Sequence, residues 1–372
     1  DFGAVGDGIA DDTAAIQAAV NTGKTIVFPA GTYKQTSTVS AANVSIEGHG
    51  ATIKGFNGKG FSVTNTIAVK GDITFEGYED SANRENQSTN YTTSAIYFPT
   101  GSQIKYMRIG RNVKFYQCRS AVRFGSDSSD VAVDSTGNLS GPSWFFASVK
   151  ECTKGVHLHC VYTDLEIAFG TYQNIIGSGK SVAAISCSMD NLIATSAIYD
   201  QTSKVHVHDI TIDTVINRTT TGDSSPANTY ECTGIRVMGR LIAVDNVIGK
   251  DVTGVNSDCE LIYIKGNNFS VTNVLAFNCG AQEGAITLKG LDPTDTAGTS
   301  VPGGRGFINN IRIFFDNYTY NNNGTNVSLN RTGIAVNVPF EVYAGDNITI
   351  KGANSSSVVL NGQDADNANF TG

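Results

Sequence analysis

Six short segments of alternating apolar residues recur along this chain: GVHLHC (155–160), SVAAIS (181–186), KVHVHD (204–209), GIRVMG (234–239), LIYIKG (261–266) and AITLKG (285–290). Their starts lie 23 to 30 residues apart. Strands repeating at that period are the signature of a solenoid, in which each coil packs only on its neighbours. A single coil has too thin an apolar face to be stable alone. Stacking coils about 4.8 Å apart pairs each strand with the next and makes one continuous core. A second series runs between the first: TDLEIAF, DNLIATS, TIDTVIN, VDNVIGK, VTNVLAF and INNIRIFF. Each holds an acid or amide, namely Asp164, Asn191, Asp213, Asn246, Asn273 and Asn310. Stacked, these six form a ladder at one turn, where such side chains bond turn backbone.

Composition narrows the partners. The net charge is −8 with only 16% charged residues, and no basic stripe exists, which argues against nucleic acid. No apolar run reaches the roughly 18 residues of a membrane span. Seven cysteines are present, an odd number, with no CxxC pair that would suggest a zinc ribbon or redox motif. They read as reduced, buried, small apolar residues, with Cys232, Cys259 and Cys279 stacking near one turn. That reading implies folding in a reducing compartment. No cofactor or metal motif is evident.

The N-terminus is organised differently. In DFGAVGDGIADDTAAIQAAV, Asp12 and Thr13 are placed to cap a helix over 12–21 whose Ile16, Ala19 and Val20 share one face. KTIVFPAGTYK follows as strand, turn and strand. The helix is expected to cover the open end of the stack, since bare sheet edges need covering. The acids here serve turns and the cap, not chemistry. The chain therefore divides into an N-terminal motif with capping helix, 1–24, and one parallel β-helix domain, 25–372. Polar insertions at 79–95, 217–229 and 291–306 read as surface loops flanking a binding face.

The combination DFGAVGDGIADDTAAIQAA, VFPAGTY and VSIEGHGATIKG resembles the start of the pectin-lyase-like right-handed parallel β-helices. The resemblance implies an all-β, right-handed parallel β-helix and a polysaccharide ligand. Within that superfamily the chain looks most like a bacteriophage tailspike depolymerase. That likeness implies a homotrimer in a virion, joined to the phage tail through a further N-terminal domain, and acting on lipopolysaccharide O-antigen or capsule. Residue 1 lies inside a motif and no secretion signal precedes it, so the chain reads as a piece of a longer protein. The signatures of calcium-dependent pectate lyases and of polygalacturonases are not found, and GHG at 48–50 lies far from the acids below.

Alternation places Val156, Leu158, Val205, Val207, Ile235, Val237, Ile262, Ile264, Ile286 and Leu288 inward. The outward column then reads His157 and His159, His206 and His208, Arg236, Tyr263 and Lys265, Thr287 and Lys289. Four of the five histidines are thereby expected on one face. Acids precede these strands: Glu151, Asp200, Glu231, Asp258, Glu260 and Glu283. Carboxylates beside His, Arg, Tyr and Lys suit a glycan, offering donors, acceptors, a ring face and cations for acidic sugars.

Glycoside hydrolysis needs two carboxyls, about 5–5.5 Å apart for retention and about 6.5–9.5 Å for inversion. Neighbouring and alternate rungs supply both spacings. Glu260, Glu283, Glu231 and Asp258 are the catalytic candidates. His206, His208, Arg236, Tyr263, Lys265, Lys289 and Asp200 are the candidate sugar contacts. The alternatives are β-elimination of a uronate by a polysaccharide lyase, and a glycan-binding adhesin module that does not cleave.

Overall fold

The computed structural model describes the chain apart from residues 1, 56–57, 78–93, 126–136, 179–180, 188–203, 219–230, 255–258, 281–283, 290–304, 317–318, 323–324, 329–331, 338–340, 346, 354–355, 362–369 and 372. Parallel pairing from one coil to the next joins 25 strands into one hydrogen-bonded sheet. The run Cys232–Gly254 shows how a coil is made. Its residues 232–239, 241–245 and 247–252 each lie in register with the following coil, at 259–266, 268–272 and 274–279. Two corners thus divide the coil into three flanks, here called sheets one, two and three. The chain is an all-β parallel β-helix.

Why the corners fall where they do is legible in the residues. The bend between sheets two and three is taken at Phe169, Asp209, Asn246, Asn273, Asn310 and Asn347, all with φ between 51° and 66°. Asp and Asn tolerate this left-handed region far better than most residues. Their side chains also bond from coil to coil. Asn246 donates to Asp209, Asn273 donates to Asp245 at 2.8 Å, and Asn310 donates to Asn273 at 2.7 Å. The expected ladder therefore exists at Asn246, Asn273 and Asn310. Asp164 and Asp213 lie instead within strands of sheets two and three, paired with Lys204 and with Lys250. Asn191 lies outside the described residues.

Inside, each sheet contributes alternating apolar side chains to one cluster that runs from Ile16 to Val342. Phe75, Phe115 and Phe145 stack in it with centroids 5.2 and 5.6 Å apart. At the start of sheet one the alternation slips. Leu261 and Ile262 are both fully buried, and Leu261 fills the space that a side chain on Gly249 of sheet three would need. The inward set expected from the sequence is buried throughout. All seven cysteines are buried outside any disulfide, and Cys232 pairs in register with Cys259.

The helix α1, Thr13–Val20, buries Ile16, Ala19 and Val20. Asp12 occupies its N-cap position but does not cap it through its side chain. That carboxylate instead accepts from the backbone N–H groups of Val5 and Gly6, which ties down the segment before the helix. Asp7 and Asp11 serve local turns as expected, and the strand Asp7–Asp11 between them was not foreseen. Of the three expected loops, residues 94–95, 217 and 305–306 belong to strands, 218 is described outside any strand, and the rest lies outside the described residues.

Candidate functional site

Strand register separates the histidines. His157 pairs with Ser186, Ser186 with Arg236, Arg236 with Tyr263 and Tyr263 with Thr287, a row across sheet one. His206 pairs with Glu166 on one side and Ala243 on the other, a row across sheet two. The expectation of four histidines on one face is therefore corrected. KVHVHD has the alternation of a sheet-one strand, but it stacks on DLEIA of the preceding coil.

Sheet two carries an open groove of about 770 Å³ on its outer face. Its floor is made of small residues in register on successive coils, Ala243 and Ser270. Glu166 and His206 form one end, and Phe307 and Tyr343 the other. Phe307 and Tyr343 are 42% and 44% exposed. Asp164, Lys204, Asn268 and Arg305 line one margin, each in register with the next through Leu241. Small residues between taller rings, with acids, bases and amides at the rim, make a trough for an extended polar ligand with flat faces.

A charge array stands at the Glu166 end. His208 contacts Glu166 Oε1 through Nε2 and Asp209 Oδ2 through Nδ1, both at 2.8 Å. Burial alone would lower the His208 pKa, but the hydrogen bonds and charges of Glu166 and Asp209 outweigh it and raise it. Hydrogen bonds from His208 and Asn246 hold Asp209 below its ordinary value. His206 stacks on His208 with centroids 4.1 Å apart. Burial and the neighbouring His208 push His206 down. The two imidazoles at this end of the groove are thus pushed in opposite directions, His208 toward its charged form and His206 toward its neutral one.

Sheet one is different in kind. Its outward row is covered: His157, Ser186, Arg236, Tyr263 and Thr287 are all buried. Arg236 is ion-paired with Glu231 and lies 4.8 Å over the Tyr263 ring. Glu260 is 2% exposed and accepts from Thr233 Oγ1 at 3.4 Å. Burial, then Lys154, keeps His157 and His159 well below the ordinary histidine range. Lys265 is half-buried beside Met238, and Lys289 follows it in register. Asp200, Asp258 and Glu283 lie outside the described residues.

The candidates from sequence thus fall into two groups. Arg236, Tyr263, Lys265, Glu231 and Glu260 gather on sheet one, and Glu260 is closed to a sugar in this conformation. His206 lines the open groove, and His208 is bonded to Glu166 of its lining. Sequence reasoning missed Glu166, Lys204, Arg305, Phe307 and Tyr343, and it assigned Asp164 to the turn ladder. The signal was present: aligning the corner residues Phe169 and Asp209 would have placed Glu166 beside His206.

These coils define a parallel β-helix whose open flank suits a glycan. Residues 1–90, of 372, match the family model described as rhamnogalacturonase A/epimerase, pectate lyase-like. Fold and match together support a polysaccharide-related β-helix of the pectin-lyase-like kind. Among curated proteins none matches the chain. A solved structure of PfbA, a surface adhesin of Streptococcus pneumoniae, aligns over 98% of this chain and 90% of that one, at 12% identity and a TM-score of 0.28. That likeness is too low to bear on function.

Proposed function

We propose that the chain is an endo-acting polysaccharide depolymerase that seats its glycan in the sheet-two groove and hydrolyses a glycosidic bond there. The observation that carries this reading is the groove itself, in which the carboxylates of Asp164 and Glu166, the His206 imidazole and two exposed rings converge on a floor of small residues. Asp164 and Glu166 are alternate residues of one strand, so their side chains leave the same face about 6.6 Å apart. From strand positions that far apart the two carboxyls can reach the roughly 6.5–9.5 Å separation that leaves room for an attacking water. Glu166, oriented by His208, takes the water proton, and Asp164 protonates the departing oxygen.

The setting proposed with it is a phage tailspike homotrimer acting on a bacterial surface polysaccharide, which rests on sequence features alone: the superfamily resemblance, the cysteines read as reduced and the long coil rich in Asn, Thr and Gly. β-Elimination is the second reading, because Lys204 and Arg305 line the same groove and would neutralise a uronate carboxylate. The test is incubation with a panel of purified lipopolysaccharides and capsules. New reducing ends without unsaturated uronate mean hydrolysis, and unsaturated uronate means elimination. Binding without new ends leaves an adhesin. Asp164→Asn and Glu166→Gln should each lower the rate by about 10²-fold or more, with folding intact. Full activity in both would discard the assignment.

A further inference from the structure

We propose that the glycan site extends beyond the groove onto a cation–aromatic ladder on the earlier coils of sheet two, which holds the ring faces and acidic groups of a long polysaccharide. The inference rests on reading the groove as a glycan site. Arg108 lies 4.3 Å over the Tyr106 ring and 4.7 Å over the Trp144 ring of the next coil. Trp144 and Phe146 stack at 6.2 Å with planes 17° apart. Phe146 meets Phe169 edge-on at 5.4 Å, and Arg111 caps the Phe169 ring at 3.6 Å. Phe169 then meets His208 at 5.1 Å. His208 is bonded to Glu166, which lines the groove. The ladder and the groove are one continuous surface.

Two observations set this ladder apart from ordinary surface packing. Phe169 is 37% exposed and stands at the sheet-two corner with φ 58°, where the later coils use Asp209, Asn246, Asn273, Asn310 and Asn347. A bulky residue is costly in that region, and such strain persists where a side chain has other work. The aromatic rings are also joined by two arginines, which stack on them while keeping their positive charge toward anions. Flat rings between fixed cations match a polymer of pyranose rings bearing carboxylates. From Tyr106 to Tyr343 the surface crosses eight coils, or about 34 Å at 4.8 Å per coil. A ligand that uses all of it must be long.

Trp144 is the only tryptophan in the chain, so its fluorescence reports occupancy of the ladder directly. The probes are size-fractionated polygalacturonate, polysialate and hyaluronate, with neutral dextran as control. Affinity is measured by calorimetry alongside emission. Because Glu166 stands in register beside Trp144, the expected result is that a long acidic chain shifts Trp144 emission more than a short fragment seated in the groove does. Arg108→Ala and Phe169→Ala should weaken long-chain binding about tenfold, or about 1.4 kcal/mol, and leave short-fragment binding unchanged. The retained short-fragment binding confirms that the variants fold, and Arg108→Lys, which keeps charge but loses the planar stack, should recover only part of the loss. Glu166→Gln should weaken both lengths. Long chains that bind through Glu166 while Trp144 emission and the ladder variants stay silent would overturn the ladder and leave the groove. Equal affinity for dextran would overturn the role of the arginines. Failure of every acidic probe to bind would overturn ladder and groove together.

Discussion

Replacing His208 by Gln tests the charge array at the head of the groove. Both ring nitrogens of His208 are engaged at 2.8 Å, by Asp209 and by Glu166, and the side chain is 14% exposed. A hydrogen bond between charged partners contributes roughly 1.5–3 kcal/mol. Glu166 and Asp209 are 42% and 39% exposed, so solvent screening brings the array down to about 1–2 kcal/mol. The folded pKa of His208 is raised above its ordinary value. Its contribution is therefore complete below the unfolded pKa, near 6.5, and is lost as pH rises through the folded pKa. His208→Gln should be less stable than the parent by about 1–2 kcal/mol at about pH 5.5, and the gap should close by about pH 9. Urea unfolding of both proteins across that range measures the gap. A difference that stays constant, or grows with pH, would show that the imidazolium is not held by the two carboxylates.

Phe115→Ala removes the middle ring of the Phe75–Phe115–Phe145 stack and should cost about 3–5 kcal/mol in denaturant unfolding, with Phe115→Leu recovering much of it. A Cβ on Gly249 would fall 2.2 Å from Leu261 Cδ1, so Gly249→Ala should destabilise by about 1–3 kcal/mol, and Leu261→Val in the same chain should relieve part of that loss. Asn273 has φ 54° and bonds Asp245, so Asn273→Ala should lower the unfolding midpoint more than Asn273→Gly does. The seven thiols should resist a thiol-specific chromogenic reagent in the native protein and react in denaturant, because burial pushes Cys279, for one, up to about 12.

The coil stack was legible because its signals are local and repeated. Alternating pairs such as Ile235/Val237 and Ile262/Ile264 fix the inward face of each strand, and Asn246, Asn273 and Asn310 mark a corner. The assignment of strands to flanks was not legible. Sheet one and sheet two share the same alternation of period two, so KVHVHD fits either by pattern alone. Only the spacing from a corner decides, and the aromatic Phe169 hid that corner in the preceding coil. The misplacement carried His206 and His208 to the wrong neighbours and concealed Glu166. The burial of Glu260 was equally hidden, since alternation separates inward from outward but does not say what covers an outward face. The rings of Phe307 and Tyr343 carry no motif, and they become one end of a groove only when stacked in register with Ala243 and Ser270.

The central claim concerns which flank meets the sugar. A crystal structure of Glu166→Gln soaked with a fragment of its polysaccharide decides it. The account predicts sugar density over Ala243 and Ser270, with a ring against Phe307 or Tyr343 and an oxygen near Asp164. Density over the Arg236–Tyr263 row of sheet one, with the trough on sheet two empty, would contradict it.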